Sequence, residues 1–217
     1  MVVGNNARMH RRPLDIRSKK WPSKLALFLT KIGFTANGIS CLSVVCGLAT
    51  LLYLLARPYE NDRLNFFLAA LFIQARLICN LLDGLVAIEG GKKSATGGLF
   101  NEVPDRFCDA FTLIGIGYAA GGTAYSVELG YGATIVAFLT AYIRVLGASL
   151  GTASYFTGPQ AKQQRMAVCT VALLLSAATQ WTLWLVLALW VVVVGSWVTC
   201  LKRLRQIASE LRREENA

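Results

Sequence analysis

The sequence predicts an all-α integral membrane protein, with six transmembrane helices preceded by an amphipathic helix in the membrane interface. Three observations carry that prediction. Apolar residues make up 55% of the 217 residues, the mean hydropathy is +0.49, and they gather into runs long enough to cross a hydrocarbon core of ~30 Å as helices. The basic residues, which give a net charge of +10, fall mainly between those runs and at the chain ends. The stretch from Asn80 to Asp109 is interrupted by acids, as expected of helices that line a cavity instead of facing lipid.

Residues 1–36 form a basic N-terminal segment. From Trp21 to Phe34, Leu25, Phe28, Leu29 and Ile32 share one helical face and Lys24 and Lys31 lie off it. That is the pattern of a helix in the cytoplasmic headgroup region, with Trp21 at its depth. A soluble cap over the cytoplasmic mouth is the other reading. The first long apolar run begins beyond residue 30, unlike a signal peptide. Gly33 and Asn37-Gly38 mark the turn into a membrane domain over residues 37–201. Its spans are expected at 38–56, 64–83, 98–121, 129–150, 164–178 and 181–201. The apolar stretch from Met166 to Cys200 would be roughly 52 Å long as one helix, too long for a single crossing, so a break is expected near Thr179-Gln180. Residues 202–217 read as a basic cytoplasmic tail. The chain holds no internal repeat and no linker, and is one domain.

Charge placement supports the even number of spans. Eight of the 22 Lys and Arg precede Asn37 and five follow Cys200. Lys92, Lys93, Lys162 and Arg165 lie in the second and fourth connections, and only Arg57 and Arg63 face the other side. This positive-inside pattern puts both termini in the cytoplasm, with the protein integral to the cell (cytoplasmic) membrane. Five spans would put the basic C-terminus outside. The net charge is topology and contact with anionic membrane lipids; no basic stripe with interleaved aromatics suggests nucleic acid. The six cysteines (Cys41, Cys46, Cys79, Cys108, Cys169 and Cys200) show no metal-binding spacing and act as small hydrophobes in the helices. His10 is the single histidine, which excludes a His-ligated metal site.

The polar cluster carries the chemistry. Asn80 and Asp83 are three residues apart and share a helix face; Asn101, Asp105 and Asp109 recur every four residues and share another. Two such faces turned together make a pocket of hard oxygen ligands suited to Mg²⁺ or Mn²⁺. The connection from Ile88 to Gly98 places four glycines beside Lys92 and Lys93, where a phosphate-bearing ligand can approach the backbone. Gly84, Ala87 and Gly97 flank the acids. They leave room for a bulky ligand or, equally, allow close helix packing. Arg76 either pairs with an acid or snorkels, and Arg106 either offsets the cluster's charge or touches substrate.

The run Asn80-x2-Asp83-Gly84-x2-Ala87-Ile88-x8-Gly97-x3-Asn101-x3-Asp105 resembles, with every spacing kept, the signature DxxDGxxARx8GxxxDxxxD of the CDP-alcohol phosphatidyltransferase family. The resemblance extends further. Phe34-Thr35-Ala36-Asn37-Gly38-Ile39-Ser40 is similar to the family's entry to the first span, with Ala36 in place of Pro. Arg144 and the segment Gly158 to Arg165 stand where the family carries basic residues that hold substrate phosphate. The resemblance implies six membrane helices and metal-dependent transfer of a phosphatidyl-type group from a CDP-alcohol, such as CDP-diacylglycerol, to the hydroxyl of a polar alcohol, releasing CMP in phospholipid biosynthesis. It also implies a homodimer, two divalent ions on the donor diphosphate, and a site open to the cytoplasm. Carried over by position, Asp83, Asn80, Asn101 and Asp105 are the metal ligands, supplemented by Glu102 and Asp109. Asp105 is the general base, Asp83, Gly84, Ala87 and Gly97 line the nucleotide, and Arg144, Lys162 and Arg165 bind acceptor or phosphate.

This chain departs from the signature at three positions: Asn80 and Asn101 replace its first and third acids, and Ile88 its arginine. An amide carbonyl still coordinates Mg²⁺, without charge and so more weakly. The pattern resembles a branch of the family with Asn at both positions and Glu after the second. A register using Asp105 and Asp109 as the last two acids forfeits the Gly97 match. Two other readings remain: a relative that binds nucleotide or lipid without turnover, and an ion- or proton-coupled carrier. Against the carrier, the acids sit at one end of the spans beside the Gly/Lys connection.

Overall fold

The computed structural model describes residues 20–56, 62–89, 96–121 and 125–216, and they fold into seven helices with no strand among them. These are α1 (Lys20–Lys31), α2 (Ala36–Leu55), α3 (Asp62–Glu89), α4 (Gly97–Ala119), α5 (Ser126–Ser149), α6 (Lys162–Thr179) and α7 (Leu183–Glu215). The Lys92-Lys93 connection lies outside the described residues.

Local chemistry sets the helix ends. Gly33 turns the chain between α1 and α2 at φ +90, a conformation that costs glycine nothing. Thr35 then caps α2, its Oγ1 accepting the Gly38 N–H at 3.1 Å. The break expected near Thr179-Gln180 is present: Gln180 takes φ +61 and returns its N–H to the Ser176 carbonyl at 2.9 Å, ending α6.

α2 packs against α3 and α4, α4 against α5, α5 against α7, and α3 and α7 against α6, while α1 lies on α3. Leu54, Phe66, Ile73, Leu113, Ile116, Met166, Leu173, Leu185 and Leu189 fill the main core. Ala26 of α1 is buried against Leu81, Leu82, Leu85 and Val86 of α3, while Trp21, Phe28 and Ile32 remain exposed. Large apolar side chains such as Val45, Leu52, Phe67, Leu71, Ile135, Val171, Trp190 and Val194 point away from the bundle, a surface suited to lipid and not to water.

α2, α3, α5 and α7 are long and apolar enough to cross a membrane. α4 and α6 fall short of that composition because they carry Glu102, Asp105, Arg106 and Asp109, and Lys162 and Arg165. Of these, Asp105, Asp109 and Arg165 are buried inside the bundle, so sequence hydropathy counts against these helices groups that do not face lipid. α7 also differs from the expected span. It continues past residue 201 to Glu215, with Arg203 and Ile207 buried. At 33 residues it is about 50 Å long, so the basic segment from residue 202 extends the helix.

The chain alternates direction, so the start of α2, the end of α3, the start of α4, the end of α5, the start of α6 and the end of α7 meet at one end of the bundle. The polar cluster is assembled there.

Candidate active site

α3 contributes Arg76, Asn80 and Asp83 at helical spacings of four and three, which align them on the face toward α2 and α4. Asp83 is buried and accepts the Ser40 Oγ–H of α2 at 2.9 Å. Asn80 accepts from Ser43 Oγ at 2.9 Å and donates its Nδ2 to Asp105 Oδ1 of α4 at 2.8 Å. One amide thus ties the two signature faces together. Pro104 sits just before Asp105 inside α4; it has no N–H to return to the Phe100 carbonyl, which loosens the helical ladder at that point.

Asp105 is the centre of the cluster. Besides Asn80, its carboxylate meets Lys162 Nζ of α6 in a close ion pair, Arg76 Nη2 at 3.4 Å and Arg106 Nη2 at 4.0 Å. Asp109, one turn on, is held differently. Its Oδ1 takes Arg76 Nη2 at 2.8 Å and its Oδ2 takes Arg165 Nη2 at 2.6 Å, with all three side chains at most 1% exposed. Arg76 also donates to the Asp105 carbonyl at 3.2 Å, and Arg165 to the Gln160 carbonyl at 3.3 Å. One buried carboxylate is shared by two buried guanidinium groups, and the remaining positive charge is met by Asp105 beside Arg76; paired in this way, ions are tolerated in an interior. Glu102 pairs with Arg144 Nη2 of α5 at 2.6 Å and with Arg106 Nη2 at 3.4 Å. The Arg144 guanidinium also lies over the Phe156 ring, 5.2 Å from its centre.

The structure therefore brings together Asn80, Asp83, Asp105 and Lys162, with Glu102 and Arg144 beside them. Two of the expected site residues are engaged with each other. Asp109, expected among the metal ligands, has both oxygens committed to guanidinium groups. Arg165, expected to hold substrate phosphate, is buried and saturates Asp109. Gly84 and Ala87 lie in the last turns of α3 and Gly97 opens α4. Asn101 belongs to the first turns of α4, and its side chain lies outside the described part. Ser40 and Ser43 carry no sequence signal as partners of the cluster beyond their position on α2, and the role of Arg76 is settled only by its contacts.

The side chains around Asp83 and Asp105 that could offer a metal ion a lone pair all do so through oxygen: two carboxylates, the Asn80 amide carbonyl, and the Ser40 and Ser43 hydroxyls. Among the described residues no three His, Cys, Asp or Glu side chains gather as a metal-holding group. The set is hard and short of carboxylates, which fits a divalent ion that shares its ligands with a substrate's phosphate oxygens and does not fit a closed protein cage.

A family model for CDP-alcohol phosphatidyltransferases matches residues 34–200. Archaetidylinositol phosphate synthase from Pyrococcus horikoshii is 26% identical over 183 residues, 84% of this chain and 88% of the relative. An uncharacterized protein from Aquifex aeolicus is 29% identical over 149 residues, 68% of this chain and 72% of the relative. Among solved structures, phosphatidylinositol phosphate synthase from Mycobacterium tuberculosis with CDP-DAG bound superposes with a TM-score of 0.73 at 18% identity, covering 87% of this chain and 94% of that one. The same enzyme in complex with manganese and citrate gives a TM-score of 0.72 at 19% identity, covering 86% and 88%. With the signature spacing, the cluster it builds and a family match over most of its length, the chain belongs to the CDP-alcohol phosphatidyltransferase family.

Proposed function

We propose that this protein transfers a phosphatidyl-type group from a CDP-linked lipid, with CDP-diacylglycerol as the first candidate, to the hydroxyl of a phosphate-bearing polar alcohol, releasing CMP. The observation that carries the reading is the Asn80 bridge. It joins the face of α3 that carries Asp83 to the face of α4 that carries Asp105, with Lys162 against Asp105. The apolar outward faces of the helices suit the donor's lipid chains, and the basic side chains Arg144 and Lys162 fit a phosphate on the acceptor. The names of the relatives put inositol phosphate first among acceptors.

In this reading Asp83, Asp105, Asn80 and, by position, Asn101 hold Mg²⁺ or Mn²⁺, two ions in the family's pattern. Bound there, divalent ions neutralise the donor diphosphate as its P–O bond breaks. Gly84, Ala87 and Gly97 leave space for the nucleotide against the helix backbones. Asp105 takes the proton from the acceptor hydroxyl while that oxygen attacks the lipid-side phosphorus and CMP leaves with the bridging oxygen. Lys162 occupies one Asp105 oxygen, so it has to exchange Asp105 for substrate phosphate before that oxygen can meet the acceptor hydroxyl. Arg76 holds the Asp105 backbone carbonyl and so keeps the base in place. Asp109 serves the arginines.

The proposal includes α4 and α6 as membrane crossings, for six in all, α1 in the interface, the site and both termini on the cytoplasmic side, and association of two copies. The experiment is an acceptor panel. Purified protein in liposomes receives CDP-diacylglycerol, Mg²⁺ or Mn²⁺, and inositol 1-phosphate, glycerol 3-phosphate, serine or inositol, and the lipid product is identified by mass. A product with a phosphorylated alcohol is expected. Product with serine or inositol alone would overturn the acceptor assignment, and none with any alcohol would overturn the donor assignment.

A further inference from the structure

The segment between α5 and α6, residues 150–161, has no regular secondary structure over most of its length, yet it is fixed along the outer end of α7. The Ala153 N–H donates to both oxygens of Glu210, at 3.1 and 3.2 Å, and the Tyr155 hydroxyl donates to Glu210 Oε2 at 2.5 Å. Thr157 Oγ1 donates to Gln206 Oε1 at 2.6 Å, and Arg203 Nε to the Thr157 carbonyl at 3.0 Å. The Gln160 N–H reaches Thr199 Oγ1 at 3.1 Å. Backbone and helix touch closely enough that glycine is required at the contact. A Cβ on Gly158, which has φ +131, would collide with Thr199, and one on Gly195 with Gln160.

The same strap touches the basic side chains of the site. Phe156 underlies Arg144, the Gln160 carbonyl holds Arg165, and the strap ends at Ala161, immediately before Lys162. Glu210 lies on the helix extension beyond residue 201, and its hydrogen bonds among the described residues go to Ala153 and Tyr155 of the strap.

We propose that Glu210 is a positioning residue for the acceptor site. By clamping the strap to α7 it sets Arg144 and Lys162 at the separation that a phosphate-bearing alcohol requires. This rests on the acceptor reading above. Loss of the clamp loosens acceptor binding and leaves the donor site, built by α2, α3 and α4, as it was.

The test compares the full-length wild type with Glu210→Ala and Glu210→Gln in liposomes. CMP release is titrated separately with CDP-diacylglycerol and with the phosphorylated alcohol that the panel identifies, beside hydrogen–deuterium exchange of the strap. In Glu210→Ala the acceptor KM is expected to rise about tenfold, the scale of one lost charge-assisted hydrogen bond, with donor KM unchanged and faster exchange over 150–161. Glu210→Gln keeps an acceptor for the Ala153 N–H and should recover most of the affinity. An unchanged acceptor KM in Glu210→Ala, whatever the exchange, overturns the proposal. So does a parallel loss in donor KM, acceptor KM and melting temperature, which is plain destabilisation. No acceptor-dependent release in the wild type itself would instead sink the acceptor reading, and this inference with it.

Discussion

Asp105 and Asp109 stand one turn apart on α4, and their partners separate their roles. Asp109 is shared between Arg76 and Arg165, both buried at 0–1% exposure. Asp105 has Asn80 on one oxygen and Lys162, still one-fifth exposed, on the other. Asp109→Asn should therefore be mainly a stability variant. It strands two buried guanidinium groups, a loss of about 3–5 kcal/mol, read as a large fall in melting temperature in detergent; a melting temperature equal to wild type would contradict this. At Asn80 the expected result runs against simple restoration of the signature. Asn80→Asp replaces the N–H that faces Asp105 Oδ1 at 2.8 Å with a second carboxylate oxygen. Like charges that close disfavour joint ionisation, so CMP release at fixed Mg²⁺ should fall, and a rise would mean that the asparagine is a defect in a decayed site. The carboxylates were legible in the sequence because their spacing repeats a helix turn. The two serines were not, since a serine in an apolar helix usually bonds its own backbone. The pairing of Asp109 with Arg76 and Arg165, 33 and 56 residues away, has no local signature.

The elements hold the site by close packing more than by loops. α4 and α5 approach backbone to backbone at Gly117 and Gly130, where a Cβ on Gly117 would lie 2.9 Å from the Ser126 carbonyl oxygen and 3.1 Å from Gly130 Cα. No flexible side chain is there to yield. Gly117→Ala should destabilise by about 1–3 kcal/mol, the usual scale of overpacking. Gly132→Ala, with nothing within 4 Å, should melt within error of wild type. Equal melting temperatures for the two variants would show that this crossing is not tight. The α6–α7 break was legible because one continuous helix would exceed the bilayer, and Gln180 supplies it with a left-handed cap. The end of α7 was not. Hydropathy drops after Cys200 because the residues become charged, whereas the helix continues because Arg203 and Ile207 remain packed and Glu210 binds the strap.

At the scale of the whole molecule, the alternation of helix direction gathers all the chemistry at one end. There, acids from α3 and α4 meet cations from α5 and α6, and the outward faces stay apolar. That arrangement is why a chain with a net charge of +10 can be an integral membrane enzyme: its charges are paired inside, or lie in the segments between spans and at the chain ends. The positions of Lys and Arg argue for six spans; among the described helices four are long and apolar enough to cross, and α4 and α6 as further crossings belong to the proposal. In the proposed function Asp83 and Asp105 form a divalent-metal site, and Asp105 also acts as base. That assignment is tested most directly by CMP release from CDP-diacylglycerol in liposomes, titrated with Mg²⁺ or Mn²⁺ after EDTA treatment, for wild type beside Asp105→Asn. Release should vanish with EDTA, return with metal, and fall by at least ~10² in the variant while its melting temperature stays near wild type. Metal-independent release, or a variant as active as wild type, would contradict the account.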